Sequence, residues 1–119
     1  MTPSNPYLSM DPILNTQGLR DALRARRGPC IGVSPIVKGA AVKGPLAALV
    51  PTLAQRPPSA DAIIDHYGSL VDAWVIEEGD AVAYEGPVLA TQTIMTNRAR
   101  RKDLGGVVLD WAARLMSGA

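Results

Sequence analysis

Residues Cys30–Pro45 read CIGVSPIVKGAAVKGP. An apolar run stops at Ser34-Pro35, glycines and lysines follow, and a helical pattern begins at once. A buried parallel strand ends in this way, in a loop at the carboxyl edge of a sheet, where open α/β folds bind ligands. Free backbone N–H groups, a helix N-terminus and Lys43 are the expected attractions for an anion there. Lys43-Gly44-Pro45 joins a cation to a glycine that permits close backbone approach. An exposed lysine ahead of a helix has the same sequence. The spacing is not that of a Walker A loop, and neither Ser nor Thr follows Lys43.

Upstream of that stretch, residues 1–17 are rich in Pro, Asn and Ser and read as extended loop. Gly18–Arg27 puts Leu19 and Leu23 on one face of a short helix that Gly28-Pro29 ends. Cys30–Val33 is the first strand. Downstream, Leu46–Gln55 carries an apolar stripe interrupted by Pro51. Ser59 is placed to cap a helix over Ala60–Leu70, with Ile63, Ile64 and Tyr67 inward. Ala73–Ile76 and Pro87–Ala90 are two further strands, and Asp103 is a candidate cap for a last helix running to Met116. Its apolar face would use Leu104, Val108, Leu109 or Trp111, and Leu115. Strands alternating with helices predict an α/β fold with a parallel sheet and a single domain over residues 1–119. The first helix has no strand before it, as in a sheet that lacks its first half.

Composition narrows the function classes. Lys+Arg 12 against Asp+Glu 11 leaves +1, so no basic field would gather nucleic acid. Two arginine-rich runs, Arg20–Arg27 and Arg98–Lys102, read as solvated helix ends. Cys30 is the only cysteine and His66 the only histidine, which excludes an internal disulfide and a Cys/His metal cluster. No run is long enough to span a membrane, and MTPSNPYLSMD lacks the pattern of a signal peptide, so a cytoplasmic protein is expected. Phe is absent, leaving Val, Leu, Ile and Ala to build the core, with Trp74 and Trp111 packed into it.

Three other groups are candidates for chemistry. Ser4-Asn5-Pro6 offers short polar groups to phosphate oxygens, and it also suits an Asx turn fixed by proline. His66 falls near a helix end, where it either donates to a phosphate or serves the helix itself. Glu77, Glu78 and Asp80 are the dense carboxylates, but adjacent side chains diverge and a solvated turn is the expectation. No metal ligand set and no catalytic nucleophile can be assigned from the residues.

Over roughly Pro3–Trp111 the chain resembles the 2-phospho-L-lactate transferase family of coenzyme F420 biosynthesis. The resemblance is carried by PSNPYLSMDPIL with GLRDALR, SPIVKGAAVKGP, HYGSLVDAWVIEE and PVLATQTIM. It covers only the carboxyl-terminal part of that family. It implies a Rossmann-like three-layer parallel sheet in partial form. It implies transfer of a phospholactyl or phosphoenolpyruvyl group from a guanosine diphosphate conjugate to the deazaflavin Fo, with Mg²⁺ and release of GMP. Ser4, Asn5, Pro6, Ser34, Lys43, Gly44 and His66 are the phosphate- or nucleotide-binding residues it implies, while the metal ligands lie in a half this chain lacks. A homo-oligomer or a companion chain is therefore expected to complete the enzyme. The family pattern SPIVGGKAVKGP is altered at Lys38 and Ala40, and Gln92 stands where an aspartate is usual. Those departures also suit a non-catalytic phosphate- or nucleotide-binding module.

Overall fold

The computed structural model describes residues 1–38, 40–41 and 59–118. The helix expected over Leu46–Gln55, with Lys43 and Gly44, lies outside the described residues.

A helical stretch comes first, in place of the extended loop expected over residues 1–17. Asn5 caps it, with Oδ1 accepting from Tyr7 N (2.9 Å) and Leu8 N (3.1 Å). A π-helical turn over Pro6–Met10 leads into α1 (Asp11–Leu14). Asn5 followed by proline is an N-cap and first-turn pair, and it outweighs the polar composition that suggested a loop. Helix α2 (Leu19–Arg24) opens on Gly18, whose φ of 82° needs a residue without a side chain, and is shorter than expected.

Strands β1 (Ile31–Val33), β4 (Ala73–Glu77) and β5 (Val88–Thr91) form a parallel sheet in the order β1-β4-β5. Each lies within a residue of its expected position. The register pairs Gly32 with Trp74 and Trp74 with Val88. Met1 extends the ladder, because its amino group donates to Ile31 O (2.6 Å) and its carbonyl accepts from Val33 N (3.0 Å). That pair of bonds is a parallel bridge flanking Gly32.

Two elements were unforeseen. Ile36–Val37 (β2) and Ala40–Ala41 (β3) pair as a small antiparallel hairpin. The link from β4 to β5 is non-helical. It is held on the helical layer by Ala83 N donating to Asp61 Oδ1 (2.9 Å) and Tyr84 OH donating to Asp72 O (2.8 Å).

Helices cover both faces of the sheet. On one, α3 (Ala60–Tyr67) and the 3-10 turn Gly68–Leu70 pack Ile63, Ile64, Tyr67 and Leu70 onto Trp74, together with Leu14 and Ile36. Ser59 caps α3, as its sequence predicts, with Oγ accepting from Ala62 N (3.1 Å). Trp74 lies flat on Gly32: a Cβ built there would come within 2.5 Å of the indole. On the other face, α4 (Arg98–Met116) lays Leu104, Val108, Trp111, Ala112 and Leu115 over Ile31, Val33, Val75 and Leu89. Leu109 takes no part and is 71% exposed. Asn97, rather than Asp103, caps α4, with Oδ1 accepting from Arg100 N (2.9 Å). The arginine run is thus the first turns of the helix, at the pole where its dipole disfavours cations.

Candidate functional site

The carboxyl ends of the parallel strands gather several expected residues at one edge. Met1 runs parallel to β1, so Ser4-Asn5-Pro6 leaves the sheet at the same edge as Ser34. Thr2 Oγ1 and Ser4 Oγ lie 3.3 Å apart at the surface, and Ser4 N donates to Thr2 O (2.8 Å). Asn5 uses its oxygen as the helix cap, while its Nδ2 is buried with no acceptor. An unmet buried donor costs roughly 1–3 kcal/mol.

Ser34 is fully buried, its N donating to Val75 O (2.9 Å) and its Oγ accepting from Ile36 N (3.2 Å). Lys38 N donates to both carboxylate oxygens of Asp80 (3.0 and 3.2 Å). The amides at Ser34, Ile36 and Lys38 therefore already have acceptors. At these three positions the N–H groups are not free for a ligand, because Val75 O takes that of Ser34 while Ser34 Oγ and Asp80 reach back to take the other two; the part of the expected site at Lys43 and Gly44 lies outside the described residues. Lys38 has a φ of 50°, the left-handed conformation that favours glycine. The lysine is thus strained in the hairpin turn, and the Asp80 carboxylate helps hold it.

The acidic segment is the expected solvated turn only at Glu78-Gly79. Glu77 is buried, and its Oε2 accepts from both Thr93 N and Thr93 Oγ1 at 2.7 Å, stapling the end of β4 to the segment after β5. Asp80 holds Lys38, and only Glu78 is exposed. Gln92, just past β5, accepts through Oε1 from Arg100 Nη1 of α4. Among the described residues no group of three or more His, Cys, Asp or Glu is disposed to hold a metal ion.

His66 sits in the last turn of α3, with Nε2 2.8 Å from Asp11 Oδ1. Its ring is edge-on to Tyr7 (4.7 Å) and Tyr67 (5.3 Å). Burial raises both tyrosine pKa values and Asp11 raises them further, with Cys30 adding to the effect at Tyr67. Neither phenol is suited to accept a proton near neutrality. His66 and Asp11 lock α3 to the helical stretch that presents Ser4-Asn5-Pro6. Asp11 and Asp80 were not anticipated as site-shaping groups, since their partners lie far along the chain.

The family model described as 2-phospho-L-lactate transferase CofD matches residues 1–105. The chain belongs to this family. A phosphoenolpyruvate transferase of Thermobifida fusca (strain YX) is 38% identical over 116 residues, covering 95% of this chain and 35% of the relative. One from Mycobacterium ulcerans (strain Agy99) is 40% identical over 85 residues, covering 67% of this chain and 26% of the relative. One from Mycolicibacterium smegmatis (strain ATCC 700084 / mc(2)155) is 34% identical over 122 residues, covering 92% and 37%. This CofD-family chain therefore spans about a third of the length of these curated relatives. None of its described helices is long and apolar enough to cross a membrane.

Proposed function

We propose that this chain is part of a cytoplasmic transferase of coenzyme F420 biosynthesis. In this reading the Fo hydroxyl attacks the phosphorus of a phospholactyl or phosphoenolpyruvyl group carried on a guanosine diphosphate conjugate. The new P–O bond forms as the bond to GMP breaks, and the hydroxyl proton is lost. Such transfers depend on positioning and charge neutralisation. The observation that carries the reading is the shared exit of Ser4-Asn5-Pro6 and the Ser34–Lys38 hairpin at one parallel-strand edge, in a chain of the CofD family.

Ser4, Asn5 and Pro6 would face the phosphates, with Lys43 and Gly44 supplying charge and close backbone approach. Ser34 shapes the start of the hairpin through Ile36 N, and His66 positions the Ser4-Asn5-Pro6 helix through Asp11. Mg²⁺ would neutralise phosphate charge when bound. The described residues offer it no ligand set, so no step is assigned to it and its ligands are proposed to belong to a companion segment or a second subunit.

Assaying the chain alone, and after co-expression with the unmatched part of the Thermobifida fusca relative, tests this. Turnover of Fo with the guanosine conjugate and Mg²⁺ is expected only in the complemented sample. Absence of turnover there would defeat the proposal, and robust turnover by the chain alone would defeat the need for a companion.

A second reading is favoured by Gln92, whose carboxamide is taken up by Arg100. A non-catalytic phosphate- or nucleotide-binding module would bind GDP in calorimetry equally well with and without Mg²⁺. The transferase reading expects binding to strengthen with the metal once the enzyme is complete.

A further inference from the structure

At the opposite, amino-terminal edge of the sheet, a depression of about 220 Å³ is lined by Arg24, Arg26, Gly28, Ser69 and Asp72. Its walls come from the end of α2, the Gly28 turn before β1 and the 3-10 turn that enters β4. Two arginines and one acidic residue thus line it. That carboxylate is already engaged, because Asp72 Oδ2 accepts from Arg26 Nη2 (2.6 Å) and from Cys30 N (2.8 Å). Arg26 is held from the other side by the Leu23 carbonyl, so its position is fixed before any ligand arrives.

Both bonds fall on Oδ2, and the side chains left to donate are Ser69 and Arg24. The Ser69 hydroxyl has no hydrogen-bond partner among the described residues and is exposed. Arg24 has only a loose, exposed pairing with Asp21 at 3.7 Å, which costs little to give up. Two arginines against one carboxylate, itself paired to Arg26 through Oδ2, leave a surplus positive charge that selects a negative ligand, and guanidinium groups match planar or tetrahedral oxyanions. The volume is below the roughly 300–1,000 Å³ of sites for drug-sized molecules, so the space suits a single group. We propose that this depression binds a small oxyanion, a carboxylate or a phosphate group, which joins the end of α2 to the turn entering β4 through Arg24 and Ser69. An occupant here would not compete with chemistry at the carboxyl ends of the strands.

The test is a ¹H–¹⁵N titration of the chain with orthophosphate and, separately, acetate, ionic strength being held constant with chloride. Saturating shifts are expected at the amides of Gly28 and Ser69 with at least one of the two anions, and the responding anion identifies the group. Arg24→Gln and Ser69→Ala alter exposed side chains, so both should keep the parent spectrum elsewhere. Each should weaken the fitted affinity by about tenfold, the worth of one hydrogen bond to a charged group. Non-saturating shifts with both anions, or unchanged affinity in both variants, would overturn the proposal. So would saturating shifts confined to Ser4–Pro6 and Ser34–Lys38, a result that would leave the transferase reading intact.

Discussion

Helices α3 and α4 cover opposite faces of one sheet but are attached in different ways. Helix α3 has Ala60, Ala62, Ile63, Ile64 and Tyr67 buried within eight residues, whereas α4 has only Leu104 buried within nineteen. Polar ties add to the contrast. The α3 layer is joined by His66 to Asp11, by Asp61 to Ala83 N and by Tyr84 to Asp72 O, while Gln92 and Arg100 tie α4 at its start. Apolar area removed from water is the main stabilising term, so the two layers should open at different free energies. The difference teaches that the face carrying Trp74 is the structural half of the molecule. The α4 face is held by a narrow apolar stripe.

The contrast can be broken most directly at the Trp74–Gly32 contact. Trp74→Ala removes the largest fully buried side chain and should cost about 3–5 kcal/mol in chemical denaturation. Gly32→Ala should cost about 2–3 kcal/mol by forcing a methyl group into the indole. Most of that penalty should vanish in a Trp74→Leu background, and a cycle with independent, additive losses would refute the close packing. On the other face, Leu104→Ala should cost about 2–3 kcal/mol. Hydrogen exchange should then quicken along α4 while α3 amides keep their protection, and uniform loss across both helices would show a single cooperative unit.

Smaller effects sharpen the picture at the two edges. Lys38→Gly relieves a left-handed residue in the hairpin that carries Ile36 into the Trp74 core, and should raise stability by about 1 kcal/mol. A lower thermal midpoint would mean that the lysine side chain contributes more than the strain removes. At the amino-terminal edge, partial burial acts to raise the Asp72 pKa, but the Cys30 N–H and the Arg26 guanidinium lower it further, leaving it below its ordinary value. A depressed carboxylate stabilises the fold above its unfolded pKa, roughly 3.9, and that contribution disappears as pH falls through the folded value. Asp72→Asn should therefore be less stable than the parent at neutral pH and lose less of its stability on acidification. Parallel pH curves for the two proteins would discount the pair.

What could be read from the chain followed the range of the interactions involved. Strands β1, β4 and β5 were legible because each is a short apolar run bounded by turn residues, and α3 because Ser59 and its apolar spacing agree. The start of α4 was obscured by its own arginines, which break the apolar period and made Asp103 a more obvious cap than Asn97. The β2–β3 hairpin had a local signal in Lys38-Gly39 between apolar pairs, but the surrounding glycines and lysines suggested an open loop. The engagement of Lys38 N was not legible at all, because Asp80 binds it from 42 residues away. The Asp11–His66 tie, spanning 55 residues, was hidden for the same reason.

The placement of the two tryptophans has a practical consequence. Trp74 is 1% exposed beneath α3, and Trp111 is half-buried on α4 itself, against the opposite face of the sheet. With no other indole in the chain, each layer carries its own fluorophore. Emission from Trp74 should be blue-shifted and shielded from iodide, while Trp111 is open to quenching. Single Trp→Phe replacements would then let an optical signal report which side of the sheet comes apart first.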